Sequence, residues 1–184
     1  MKPRLLLHSC CGPCSTAVIE KLIDDYEITV FYFNPSIYPE EEYLHRKNEQ
    51  KRFLSELSAK LGFEIGFIEG DYNHQSFCDF VSGLENAPEG GERCKKCFWQ
   101  RLEGTAKLAK DKGFDLFDTT LSVSPHKNYD NIYAIGKEIE AKFGIKYLAG
   151  NYKKQDGYKR SIDLSKEYNL YRQNYCGCEF SKRG

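Results

Sequence analysis

The chain has 184 residues, with 27 Lys and Arg against 27 Asp and Glu, so its size permits an ordinary core without disulfide staples and its bulk charge neither draws nor repels a polyanion. Any nucleic-acid contact must then come from a local basic patch. The apolar run at residues 5–7 is far shorter than a signal-peptide core or the ~20 residues of a membrane span, which predicts a cytoplasmic protein with no membrane partner.

Residues 4–8 (RLLLH) read as a buried strand, and Ala17, Val18, Leu22 and Ile23 then recur at helical spacing with Pro13 suited to the first turn. Residues 28–34 (ITVFYFN) make a β-branched and aromatic second strand, Pro35 turns the chain, and a helix runs over about 40–61 before a third strand at 63–69. A short helix around 77–84 gives way to the turn-rich NAPEGGERC, after which Cys97 opens a helix reaching about 112. Residues 114–121 give a fourth strand, 128–143 a helix and 145–149 a fifth strand, and the tail from Gly150 holds one short helix near Ser165.

Strands alternating with helices imply parallel βαβ units in one three-layer α/β domain over residues 1–184, ending in a cysteine-containing tail. The order that best suits five such strands is 3-2-1-4-5. It reverses between strands 1 and 4, and ligands bind at the carboxyl ends of the strands flanking such a switch point. HSCCGPCS (8–15) ends strand 1 and TTLSVSP (119–125) ends strand 4, so both fall on one crevice.

Eight cysteines in a reducing compartment point to metal ligands or redox chemistry rather than to structural disulfides. Neighbouring strand residues project to opposite faces, so Cys10 and Cys11 serve one centre only if the chain turns, as Gly12 and Pro13 allow. Cys14, in the first turn of the helix, has its thiolate stabilised by the helix dipole. Cys94 and Cys97 form a second pair leading into a helix, with Arg93, Lys95 and Lys96 adding positive potential. Four thiolates suit zinc or an iron–sulfur cluster, and spacing alone does not separate the two; adjacent cysteines in a crevice weigh against a structural zinc. Cys176-Gly177-Cys178 permits a small strained ring, and strained disulfides are the reducible ones; two further metal ligands are the alternative. Cys78, between Phe77 and Asp79, reads as a small buried residue.

HSCCGPCS, FNPSIYPEEEYLHRKNE, GERCKKCFWQRLEGTA, TTLSVSPHKN and LYRQNYCGCEFS, spread from residue 8 to residue 181, together resemble the cobalamin-independent epoxyqueuosine reductases. The resemblance implies a Rossmann-like, HUP-like fold and the last step of queuosine formation: reduction of an epoxide on the wobble base of tRNA to the cyclopentene. It further implies a 4Fe-4S cluster on Cys10, Cys11, Cys94 and Cys97, a redox-active pair at Cys176 and Cys178, an external electron donor and no cobalamin. The strand 1 loop has cysteines where a Gly-rich phosphate cradle would be needed, which argues against ATP. Turning an epoxide into an alkene and water takes two electrons and two protons, whereas one cluster commonly delivers electrons singly. The dithiol, or an additional mononuclear iron bound through Cys14, is therefore expected to take part.

Candidate substrate contacts are Tyr32, Asn34 and Tyr38 just past strand 2, with Glu42, Tyr43 and Arg46 on the next helix, a face of a kind ordinarily solvated. Ser122, Ser124, Lys127 and Asn128 occupy the strand 4 crevice. His8 is either a proton donor or a satisfied core imidazole. NYKKQDGYKRS (151–161) interleaves Tyr152 and Tyr158 with Lys153, Lys154, Lys159 and Arg160, as recognition of a single-stranded tRNA loop demands. Tyr168, Tyr171, Arg172 and Gln173 lead into the CGC. Two alternatives remain open. One is an iron–sulfur protein like the heterodisulfide reductases, which usually carry two CCG units where this chain has one. The other is a zinc-stapled nucleic-acid-binding module without catalysis.

Overall fold

Leu5, Leu6 and Leu7 are all 0% exposed, as the middle strand of a parallel sheet covered on both faces requires. In the computed structural model, which describes residues 1–181, they belong to β1 (Arg4–His8). The chain continues as α1 (Gly12–Leu22), β2 (Glu27–Tyr32), α2 (Glu40–Leu61), β3 (Gly66–Glu69), α3 (His74–Phe80), α4 (Glu92–Asp111), β4 (Leu116–Thr119), α5 (Tyr129–Phe143), β5 (Lys146–Tyr147) and α6 (Gly157–Glu167), with 3-10 turns at Leu121–Val123 and Glu179–Ser181. The strands form one parallel sheet of order β3-β2-β1-β4-β5, the order expected from the sequence.

The sheet separates two cores. Leu6 and Phe117 pack with Leu102 of α4 and Ile139 of α5, and Cys10 and Cys11 join this side. Leu5, Leu7 and Val30 pack on the other side with Val18 and Ile19 of α1 and Phe53 of α2. α6 lies on α1. No described helix is long and apolar enough to cross a membrane.

Several boundaries differ from the sequence reading, each for a local reason. β2 ends at Tyr32 because Asn34 turns its amide to the Ser9 carbonyl (2.9 Å). α3 starts at His74, where the Asn73 side chain accepts from the Ser76 N–H. α4 starts at Glu92 rather than Cys97, which puts both Cys94 and Cys97 on its opening turns. The second half of NYKKQDGYKRS is the beginning of α6 and not an open turn.

Candidate active site at the thiol crevice

Past His8 the chain leaves the sheet, and Cys11 is fully extended (φ −170°, ψ 161°) immediately before α1, which no side chain caps. This turn gathers three thiols: the Sγ atoms of Cys10, Cys11 and Cys14 all lie within 4.8 Å of one another. A buried polar frame holds it. The Ser9 hydroxyl donates to Gln50 Oε1 (2.6 Å), Gln50 Nε2 donates to the Ser15 hydroxyl (3.0 Å), and Gln173 Nε2 donates to Cys11 Sγ (3.0 Å).

His8 belongs to this frame. His8 Nε2 faces two acceptors, the Phe33 carbonyl (3.0 Å) and Asn34 Oδ1 (3.2 Å), so it carries the proton, and Nδ1 accepts from the Thr119 hydroxyl (2.9 Å). Burial, and then the Arg101 charge, push the imidazole down to about 4. It is neutral near pH 7 and has no spare proton, which makes it the satisfied core histidine.

Hydrogen bonds from Cys11 and Cys14, followed by the charges of Lys127 and Arg101, hold Cys10 well below the ordinary thiol range. The same hydrogen bonds to Cys10 push Cys11 and Cys14 up. The three thiols thus share one ready negative charge, and a metal ion would draw off the remaining protons. Burial opposes the charges on Arg101 and Lys127, yet the neighbouring cysteine sulfurs raise both above their usual values, with Cys97, Cys10 and Cys176 acting on Arg101 and Cys10, Cys14 and Cys176 on Lys127. Arg46 is held up against burial chiefly by Cys11.

These cations add to Arg93, whose charge acts on Cys94 and Cys178 against the effect of their burial. Arg93 is 1% exposed, and its guanidinium is spent on the carbonyls of Leu84, Glu85 and Ala87 and on the Ser181 hydroxyl, shaping the loop before α4. Lys95 pairs with Glu92, and Lys96 donates to the Phe80 carbonyl. Arg101 was missed in the sequence, although it follows Cys94 and Cys97 at i+7 and i+4 on the same helix face, a signal that was there to be read.

All eight cysteines are free thiols. Cys94, Cys97, Cys176 and Cys178 line a narrow cavity with Arg101. Cys10 and Cys14 line a wider adjoining groove. Cys176 and Lys127 face both spaces. The structure therefore brings Cys10 and Cys11 together with Cys14, and Cys94 and Cys97 together with the CGC, with Cys176 on the wall between. An all-thiol donor set beside three buried or half-buried cations fits an anionic metal–thiolate centre such as an iron–sulfur cluster in its chemistry.

A family model described as epoxyqueuosine reductase QueH matches residues 5–184. The chain belongs to this family. Relatives called epoxyqueuosine reductase QueH include that of Streptococcus pyogenes serotype M1, 42% identical over 183 residues covering 100% of this chain and 72% of that protein. The one from Thermotoga maritima is 36% identical over 180 residues, covering 96% of this chain and 89% of that protein. Among solved structures, the U34-tRNA thiolase NcsA from Methanococcus maripaludis with its [4Fe-4S] cluster superposes with a TM-score of 0.52 at 12% identity, covering 100% of this chain and 63% of that one. A predicted subunit of tRNA methyltransferase from Methanocaldococcus jannaschii gives a TM-score of 0.50 at 17% identity, covering 91% and 75%. These two likenesses concern the fold.

In this QueH-family chain, Ser124, Lys127, Tyr158, Arg172 and Gln173 line the groove with Cys10, and Asn128 lines the cavity while capping α5. Other residues singled out as substrate contacts are engaged elsewhere. Tyr32 is 0% exposed and donates its hydroxyl to the Tyr43 carbonyl, and Asn34 braces Ser9. Ser122 donates to the Gly150 carbonyl. Tyr152 is buried with its hydroxyl on Asp118, Lys153 donates to the Lys127 carbonyl, and Arg160 forks onto Glu20 at 2.8 and 2.6 Å. Lys154 and Lys159 are exposed. Arg46, expected on a solvated face, is buried.

Proposed function

We propose that this protein reduces the epoxide of epoxyqueuosine in tRNA to the alkene of queuosine, in the cytoplasm, with electrons from an external donor. Membership of the QueH family over residues 5–184 carries this reading. The thiol crevice at the carboxyl ends of β1 and β4 supports it chemically. Cys10, Cys11, Cys94 and Cys97 are the proposed ligands of a 4Fe-4S cluster, which when bound would supply electrons one at a time. Cys14 is left for a second, mononuclear iron. Neither cobalamin nor ATP has a part in this scheme.

Epoxide, two electrons and two protons give alkene and water. Cys176 and Cys178 are the proposed two-electron store, becoming a disulfide as they give up two electrons and two protons. Lys127, raised against its burial chiefly by the charge of Cys10, would hydrogen-bond the epoxide oxygen as charge develops there. Tyr158 and Arg172, with the guanidinium 5.9 Å from the ring centroid, form the wall against which a splayed base stacks. Gln173 ties this wall to Cys11.

A second assignment of Cys176, as a cluster ligand, is favoured by its place on the wall common to both spaces. The double variant Cys176→Ser, Cys178→Ser, purified anaerobically, decides between them. A redox pair predicts full iron and sulfide, with repeated turnover lost and a partial reaction remaining in a single turnover with chemically reduced cluster. Loss of the cluster makes the residues ligands, and unimpaired turnover makes them bystanders.

A further inference from the structure

One other group among the described residues has the donor types and proximity of a metal site. His74 Nε2, Cys78 Sγ and a Glu179 carboxylate oxygen all lie within 4.8 Å of one another. His74 and Cys78 stand at i and i+4 on α3 and therefore share a face, while Glu179 opens the 3-10 turn directly after the CGC. Cys78 is the one cysteine that no motif accounts for.

The imidazole is already set as a metal-binding histidine is. Its Nδ1 lies 2.8 Å from the Pro35 carbonyl, an acceptor only, so Nδ1 carries the proton and Nε2 is left with a lone pair in the neutral ring. That lone pair faces Glu179 Oε1 at 2.8 Å. A protonated ring would meet the carboxylate there as an ion pair, whereas in the neutral ring two acceptors at this distance repel unless a cation joins them. The Cys78 thiol points at the same Oε1 from 3.4 Å, so all three donor atoms converge on one small volume. The ring is held between Tyr38 and Phe77, with centroids at 5.0 and 5.9 Å.

The spacing suits zinc. Its usual bond lengths give tetrahedral edges of about 3.3 Å between nitrogen and oxygen and about 3.5 Å between sulfur and oxygen. The observed sulfur–oxygen separation of 3.4 Å already matches, and the nitrogen–oxygen separation of 2.8 Å must open by about half an ångström. Two anionic ligands and one neutral ligand also neutralise a divalent ion.

We propose that His74, Cys78 and Glu179 bind a divalent zinc ion that fastens the C-terminal CGC segment to α3. On binding, the Cys78 S–H bond breaks, its proton passes to solvent and a Zn–S bond forms, with no electron transferred; water takes the fourth position. Because Glu179 adjoins Cys178, the ion fixes where the CGC sits.

The test uses anaerobically purified, iron-loaded protein exposed to one equivalent of zinc and desalted. Metal analysis should find one zinc per chain in the wild type and none in His74→Gln or Cys78→Ser, with iron and sulfide unchanged in all three. Zinc-edge absorption on the wild type guards against variants that fail to fold, and should show one sulfur at about 2.3 Å with nitrogen and oxygen at about 2.0 Å. Chelating the zinc should speed amide exchange over residues 176–181. The proposal is overturned if the wild type keeps no zinc, if both variants keep as much as the wild type, or if the zinc has two or more sulfur ligands, which would place it at the thiol crevice.

Discussion

Arg46 and Cys176 lie 130 residues apart in the chain, yet the guanidinium of the first donates to the main-chain carbonyl of the second at 3.1 Å. Its other groups reach the Tyr175 carbonyl at 3.0 Å and the Glu42 carboxylate at 2.8 Å. The CGC is thus positioned from α2 through its backbone. Gly177 completes the arrangement at φ +107°, where a Cβ would stand 2.8 Å from Ile37 Cγ1.

Arg46→Ala should remove the side-chain donor from those carbonyls and leave Glu42 with only the Tyr171 hydroxyl, costing about 2–4 kcal/mol in urea denaturation. Amide exchange over residues 174–178 should accelerate in the same variant. Exchange no faster than in the wild type would show that other contacts position the tail.

Cys94→Ser should lose most iron and sulfide together with activity, because a serine hydroxyl does not replace a cluster thiolate. Cys14→Ser should keep its sulfide and lose at most part of its iron. A full cluster in Cys94→Ser would remove that residue from the proposed ligand set.

Among the basic residues of the 151–161 segment, Lys154 and Lys159 are the ones now expected to hold tRNA phosphates. Neutralising both with Gln should weaken tRNA binding and reduce the slope of log affinity against log salt by about one unit per lost contact. Arg160→Gln, which breaks the fork to Glu20, should leave that slope in place. Equal slopes for the wild type and the double lysine variant would return the segment to a merely solvated role.

Burial pushes the Asp118 carboxyl up to about 7 from an ordinary 3.8, even though Tyr152, Thr119 and Gly150 all donate to it. Since the folded state binds this proton more tightly than the unfolded chain does, the contribution of Asp118 is fully present below about pH 4 and is lost as pH rises through 7. Tyr152→Phe removes a donor to the charged form, so the loss should extend to higher pH. The variant should also be less stable near neutrality by about 1–3 kcal/mol. Urea midpoints from pH 4 to 9 check both, and a pH dependence identical to that of the wild type would contradict the coupling.

What the sequence determined by itself is the part encoded over short stretches. Three consecutive leucines specify a strand buried on both faces, and the alternation of strands with helices, each closed by a local turn, specifies a parallel sheet and its switch point. Because Cys10, Cys11 and Cys14 follow directly on that strand, their gathering at the crevice was legible too. The helix carrying Cys94 was read, but its start was not, since Gly91 caps α4 without a side-chain signal. Only the tertiary structure decided which charges serve the site. Arg46 reads as an arginine on a solvated helix face and Arg160 as a free cation of a basic segment, yet the first is buried against a tail 130 residues away and the second, though exposed, pairs with a glutamate 140 residues away. The strength of a charge depends on burial and on neighbours from distant segments, and neither is written in the local pattern of the chain.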